Sequence, residues 1–138
     1  MERAIQGAGA PMKFASIAHL PGLQAGAAAA DIRAAQQLLC IDFPKDYVEL
    51  LAFSNGAVLE GLQLYPAEDL PERNKTFEIA SYLPSHLLIG DDGGGTGILV
   101  SLIDGTIRSS GLGDLNPDDL RLVAPSLQAW IEAGCGLQ

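Results

Sequence analysis

Residues 91–97, Asp-Asp-Gly-Gly-Gly-Thr-Gly, have the composition of a ligand-binding loop. A phosphate-binding P-loop needs a lysine directly after its last glycine, and none follows here. The dinucleotide motif GxGxxG fails at Ile98, and a strand rather than a helix is expected after the loop. Asp91 and Asp92 lack the alternating oxygen ligands and the distal glutamate of an EF-hand. We therefore predict a tight turn in which the aspartates hydrogen-bond their own backbone, with no metal and no cofactor.

The other residue types that carry catalysis or bind metals are isolated in the sequence. His19 and His86 belong to no HxH or HExxH pattern, and there is no GxSxG motif. Cys40 and Cys135 form no CxxC pair, and we expect Cys40 in the core and Cys135 to be incidental. The sequence therefore predicts no catalytic residue and no enzyme. A small enzyme or ligand binder that combines His86 with the two aspartates is the alternative.

Acidic residues outnumber basic ones, and most of the excess lies in the second half of the chain. The chain has 17 Asp and Glu against 8 Lys and Arg, a net charge of −9. Residues 61–138 hold eleven acidic and four basic residues, a net charge of −7. Such a surface repels phosphate backbones and anionic membranes, so we expect no nucleic-acid or membrane partner. It would attract a basic protein, although soluble proteins that bind nothing through their charge show the same balance.

The sequence offers no segment that would take the chain into or across a membrane. No stretch reaches the ~20 apolar residues needed to span a bilayer. The N-terminus carries Glu2 and a broken apolar pattern, which makes a poor secretory signal. We therefore expect a cytoplasmic protein, with residues 1–20 as a loose N-terminal arm and residues 21–138 as a single domain.

The first part of the expected domain is helical. Residues 24–40 are rich in strong helix formers, which predicts a helix there. Pro44 opens a second helix, since proline suits the first helical position, and apolar residues follow Tyr47 at helical spacing. Asn55 and Gly56 end this helix, because both residues tolerate the left-handed conformation that a helix C-terminus often needs.

Strands and a last helix follow. The sequence predicts strands at residues 58–65, 87–89 and 98–103. A short helix or turns are predicted at 67–75. Asp104-Gly105 predicts a hairpin turn, with a returning strand at 106–108. The final helix begins near Pro125, and Leu127, Trp130 and Ile131 form its apolar stripe. This order predicts an α+β fold, with a mostly antiparallel, curved sheet flanked by N-terminal helices and a C-terminal helix.

Three segments match, in order and spacing, the motifs of one known family. FPKDYVELLAFSNGA, residues 43–57, is similar to a helix and stop written LPxDYxxFLxxxNGG. YPAEDLPERN, residues 65–74, is similar to a following segment that ends in ExN. LLIGDDGGGTGILVSL, residues 87–102, is similar to a strand–loop–strand with the pattern IGxDGGG. Together these resemble the SUKH superfamily, which includes the yeast cell-wall-assembly regulator and many bacterial immunity proteins. The resemblance spans about residues 25–133 and implies a single SUKH-like α+β domain with a binding role.

Many bacterial members of that superfamily neutralise a cognate polymorphic toxin, often a nuclease or deaminase, by binding it. The resemblance thus implies a non-catalytic immunity protein whose partner is a basic toxin domain, with a regulatory or scaffold module as the alternative. We take the acidic residues near the matched motifs as candidate partner-binding residues: Glu68, Asp69, Glu72, Asp91 and Asp92. The residues expected to shape the backbone are Pro44, Tyr47, Asn55, Gly56, Gly93, Gly94 and Gly95.

Overall fold

Eleven helices and strands are present in residues 12–136, the part of the chain that the computed structural model describes. The helices are α1 (Ala29–Leu39), α2 (Lys45–Phe53), α3 (Leu70–Thr76), α4 (Ile79–Tyr82) and α5 (Leu127–Glu132). The strands are β1 (Ala57–Leu59), β2 (Leu62–Leu64), β3 (His86–Asp91), β4 (Thr96–Ser101), β5 (Ile107–Gly111) and β6 (Arg121–Ala124). Short 3-10 turns at Ala67–Asp69 and Pro117–Asp119 precede α3 and β6.

The six strands form one antiparallel sheet in the order β1-β2-β3-β4-β5-β6, so each strand pairs with its neighbours in sequence. The predicted α+β fold, with N-terminal helices and a C-terminal helix around an antiparallel sheet, is confirmed. Successive connections of such a sheet alternate between its two ends. The β1–β2, β3–β4 and β5–β6 connections therefore share one end of the sheet.

The single strand predicted at residues 58–65 is wrong, because this segment folds into the β1–β2 hairpin. Glu60 and Gly61 form its turn, and Gly61 has a φ of +73°, a region that glycine enters without strain. Helix α4 and strand β6 are not predicted from the sequence. Each is four residues long, too short to show a helical or alternating apolar pattern.

Helix α1 begins at Ala29 rather than at residue 24, where the composition places it. Residues 24–27 run alongside α2 instead, and the Ala27 N–H donates to the Leu51 carbonyl at 2.8 Å. Gly26 permits this approach, since a Cβ there would lie 1.9 Å from a backbone carbonyl oxygen of α2. Pairing with α2 therefore overrides the helix propensity of the alanines.

The helices and connections cover the centre of the sheet on both faces. Leu87, Leu88 and Ile89 are consecutive on β3 and all are fully buried. Because successive strand residues point to opposite faces, both faces of β3 must be covered. Helices α3 and α4 contact β3, and α5 contacts β6. The stripe predicted on α5 is buried as well: Leu127, Trp130 and Ile131.

The two cysteines differ from expectation. Cys40 is exposed rather than in the core, because it caps the end of α1 in a left-handed conformation with a φ of +55°. Cys135 is buried in the core, and this burial raises the pKa of its thiol to about 11. Both thiols are free, so no disulfide stabilises the fold.

Part of the expected N-terminal arm packs against the domain. Ile17 is buried, and the Phe14 ring stacks on the Phe53 ring of α2 with 4.2 Å between their centroids. Residues 1–11 of that arm lie outside the described residues. Within residues 12–136, no helix has the length and apolar character needed to cross a bilayer.

Candidate functional site

Asn55 and Gly56 join the end of α2 to the turn that carries Glu68. The Asn55 Oδ1 accepts from the Ala67 N–H at 2.7 Å, and the Asn55 Nδ2 donates to the Glu68 Oε1 at 2.9 Å. Gly56 has a φ of +79°, and a Cβ there would lie 2.7 Å from the Pro66 nitrogen. Only glycine fits this position, so the pair holds the turn in place. The hydrogen bond from Asn55 lowers the pKa of Glu68, which is therefore ionised at neutral pH.

An open groove of about 550 Å³ lies beside this turn, and we call it the Glu68 groove. Val58 and Pro66 contribute apolar surface to it, and Glu68 and Asp69 contribute carboxylates. Val58 is 64% exposed, so this apolar surface is open to solvent. No Lys, Arg or His lines the groove among residues 12–136. Among the described residues, the groove therefore places apolar surface beside two carboxylates with no basic side chain in its lining.

The Glu72 carboxylate accepts hydrogen bonds from residues of its own helix. Its Oε2 accepts from the Thr76 hydroxyl at 2.7 Å, and its Oε1 accepts from the Arg73 Nε at 2.9 Å. These bonds, the Thr76 bond foremost, lower the pKa of Glu72. Because Arg73 compensates its charge, Glu72 offers less to a partner than Glu68 does.

Asp91 has two internal partners. Its Oδ1 accepts from the Gly93 N–H at 2.8 Å, as the sequence predicts for a turn, and its Oδ2 accepts from the Tyr65 hydroxyl. Burial and this bond to Asp91 raise the pKa of Tyr65, so the phenol stays protonated and remains a donor. Asp91 thus ties the β3–β4 turn to the end of β2.

Asp92 closes the same turn. Its Oδ1 accepts from the Thr96 N–H at 3.0 Å and from the Gly94 N–H at 2.8 Å, and these bonds lower its pKa. Gly93 and Gly95 have φ values of +76° and +102°, which only glycine adopts freely. The prediction that the aspartates bond their own backbone is confirmed. The carboxylate of Asp92 is held in one orientation and stays charged.

More carboxylates lie at this end of the sheet than the two aspartates of the glycine-rich turn. Glu60 is in the β1–β2 turn, and three further aspartates are in the β5–β6 connection. We call this set the acidic end: Glu60, Asp91, Asp92, Asp114, Asp118 and Asp119. The three connections contain no basic residue, and Arg121 follows only where β6 begins. The antiparallel order of the sheet places these residues at one end, and the strand order is therefore the signal that would have located them.

Asn74 is buried and acts within the fold. Strand β2 pairs with β3 only at Gly90 and Asp91, so Leu88 has no strand neighbour on that side. The side-chain amide of Asn74 takes the place of that neighbour. The Leu88 N–H donates to the Asn74 Oδ1 at 2.8 Å, and the Asn74 Nδ2 donates to the Leu88 carbonyl at 3.0 Å. Asn74 therefore joins α3 to the centre of the sheet.

The alternative of an enzyme built from His86, Asp91 and Asp92 does not fit the geometry. His86 begins β3, Asp91 ends it and Asp92 follows, so roughly 17 Å of extended strand separates His86 from the aspartates. Three such groups cannot act on one reacting atom. Among residues 12–136, no three His, Cys, Asp or Glu side chains form a group that could hold a metal ion.

The five candidate partner-binding residues lie on three elements. Glu68 and Asp69 line the Glu68 groove, Glu72 is on α3, and Asp91 ends β3 with Asp92 directly after it. Their role in binding stays a prediction. Of the residues expected to shape the backbone, Pro44 precedes α2, and Tyr47 is fully buried within it.

Comparison with known proteins gives a family but no individual relative. No curated protein matches the chain. The model of the SMI1 / KNR4 family (SUKH-1) matches residues 26–133, which is 108 of the 138 residues. The matched range contains all five helices and all six strands described above, as well as the Asn55-Gly56 pair and the β3–β4 turn. The chain therefore belongs to the SMI1 / KNR4 family (SUKH-1).

Proposed function

We propose that this chain is a non-catalytic protein-binding domain that acts as an immunity protein in the cytoplasm, where it neutralises a basic bacterial toxin domain of nuclease or deaminase type. The observation that carries the proposal is the acidic end, where six carboxylates share one end of the sheet and their connections hold no basic residue. Membership of the SUKH-1 family is consistent with a binding role.

Two features suit the acidic end to binding. Two of its carboxylates, Asp91 and Asp92, accept hydrogen bonds from the β3–β4 turn, and Asn116 holds the backbone of Asp118 at 3.0 Å. Groups positioned in advance lose little conformational freedom when a partner binds. A nuclease or deaminase also needs a basic surface to hold nucleic acid, and that surface is complementary to this one. Complementary charge speeds association and suppresses wrong partners.

Co-expression of the full chain with the toxin-like product of the neighbouring gene tests the proposal. We expect a stable complex and protection of the cell from that product. A neighbour with no toxin activity, together with a stable non-toxin partner, would instead assign a regulatory or scaffold role. If the folded chain neither binds that product nor protects the cell from it, the proposal is contradicted.

Charge-neutralised variants locate the binding surface. Replacing Asp114, Asp118 and Asp119 by Asn should weaken the complex by at least tenfold, because the acidic end loses half of its carboxylates. The control is Asp42→Asn with Glu78→Gln and Glu132→Gln, which changes the net charge equally on exposed positions outside the acidic end. An equal loss in both variants would show that net charge alone, rather than this surface, governs binding.

A further inference from the structure

The Glu68 groove differs from the acidic end because apolar and acidic groups adjoin in one concave surface. Val58 and Pro66 line it with apolar surface, and Glu68 and Asp69 line it with carboxylates. A long side chain with an aliphatic stem and a cationic head matches that combination, since the stem can lie on apolar surface while the head stays polar. Arginine and lysine are the two side chains of this kind.

The hydrogen bonding of the carboxylates favours arginine over lysine. The Glu68 Oε1 already accepts from Asn55, which leaves its Oε2 for a ligand. No hydrogen bond from residues 12–136 reaches the Asp69 carboxylate, so both of its oxygens remain for a bidentate partner. The planar guanidinium of arginine makes such paired bonds to a carboxylate, whereas an ammonium acts as a hydrated point charge.

We infer that the Glu68 groove binds an arginine side chain presented by an extended segment of the partner protein. This inference rests on the proposed function and names the chemistry of one contact within it. The exposed amides of Gln24 and Gln63 also line the groove and can hydrogen-bond to the main chain of such a segment. A second copy of the chain is a poorer occupant, because two molecules of net charge −9 repel each other.

A short peptide and its neutral isostere test the inference without knowledge of the partner. The probes are acetyl-Gly-Ser-Val-Arg-Val-Ser-Gly-amide and the same peptide with citrulline, which keeps the shape of arginine and removes its charge. Both are titrated into the isotopically labelled full chain and followed by NMR. We expect saturable shifts at the side-chain amides of Asn55, Gln24 and Gln63 with the arginine peptide and at least tenfold weaker binding of the citrulline peptide. Equal binding of the two peptides, or no shift at these amides, would overturn the inference.

Matched variants separate the groove from net charge. Glu68→Gln keeps the oxygen that accepts from Asn55, and combined with Asp69→Asn it should weaken the arginine peptide at least tenfold. The control is Asp42→Asn with Glu132→Gln, which removes the same charge and should change affinity by less than twofold. An unchanged spectrum away from the groove verifies that the variants are folded. A control that loses as much affinity as the groove variant would refute a specific site.

The same variants distinguish this inference from the proposed function. If the Glu68→Gln, Asp69→Asn variant binds the toxin domain as tightly as the natural chain, the groove inference fails and the proposed function stands. If the natural chain binds the arginine peptide in the groove but never the toxin, the proposed function fails and the groove stands as an arginine site. Groove resonances that shift on dilution of the chain alone would identify a second copy as the occupant and overturn the inference.

Discussion

Asn74 shows how a single side chain can complete a sheet. Its amide bonds both backbone groups of Leu88 at a point that β2 does not reach. We expect Asn74→Ala to lower the free energy of unfolding by about 2–4 kcal/mol, because it leaves a buried N–H and a buried carbonyl without partners. Urea denaturation measures the loss. Asn116→Ala is the control, since that side chain caps only an exposed turn, and it should cost no more than about 1 kcal/mol. Equal losses would contradict this role for Asn74.

Gly56 and Gly61 share a positive φ but differ in their surroundings. A Cβ on Gly56 would lie 2.7 Å from the Pro66 nitrogen, whereas a Cβ on Gly61 would meet nothing within 4 Å. Gly61→Ala should therefore cost only the conformational strain of about 1–2 kcal/mol. Gly56→Ala should cost clearly more, because steric overlap with the backbone is added. Thermal unfolding of the two variants compares them, and similar values would show that the close approach at Gly56 is unimportant.

Among the elements, the β4–β5 turn makes stability depend on acid. The Asp104 Oδ1 accepts from the Thr106 N–H at 3.1 Å and from the Thr106 hydroxyl at 2.8 Å. These bonds lower the pKa of Asp104 from 3.8 to about 2. A carboxylate whose pKa is depressed on folding stabilises the fold above its unfolded pKa, and this contribution is lost as the pH falls through the folded value. The stabilisation should therefore be complete above about pH 4 and absent below about pH 2.

An NMR titration of the Asp104 carboxyl group checks this expectation, with a midpoint near pH 2 as the predicted result. The Asp104→Asn variant should show a smaller fall in urea midpoint between pH 4 and pH 2 than the natural chain. Thr106→Val removes the hydroxyl donor and should move the midpoint toward 3.8. A midpoint that already lies near 3.8 in the natural chain would show that the turn does not hold the carboxylate.

Elements with strong local chemistry could be predicted from the sequence. Pro44 and Asn55-Gly56 bound α2, and the Asp104-Gly105 pair marks the hairpin between β4 and β5. Elements that depend on contacts between distant segments could not be predicted from the sequence. Helix α1 is shortened because residues 24–27 pair with α2, and β6 is too short to carry a pattern of its own.

The candidate site also contains one part that local chemistry predicts and other parts that depend on distant segments. The Asp92 turn was predictable, because the side chain bonds groups within four residues of it. The acidic end was not predictable, since Glu60 and Asp119 come to the same end of the sheet only when the six strands pair in order. The Glu68 groove likewise depends on Gly56, whose close approach to Pro66 becomes visible only in three dimensions.

For the whole molecule, the central property is the uneven distribution of a net charge of −9. The folded chain concentrates carboxylates at one end of the sheet and at the Glu68 groove, on connections rather than on buried elements. A basic partner would therefore be oriented as well as attracted during approach. Steering of this kind raises association rates by about 10–1,000-fold and is screened by salt, so it can be measured separately from the contacts that slow dissociation.

The most direct test is the rate constant for association between the full chain and the toxin domain encoded beside it, measured by stopped flow between 20 and ~500 mM NaCl. We predict at least a tenfold fall over this range, with a clearly smaller fall when Asp114, Asp118 and Asp119 are replaced by Asn. The Asp42→Asn, Glu78→Gln, Glu132→Gln control should keep most of the salt dependence. A rate constant that does not change with salt, or that changes equally in both variants, would contradict recognition through the acidic end.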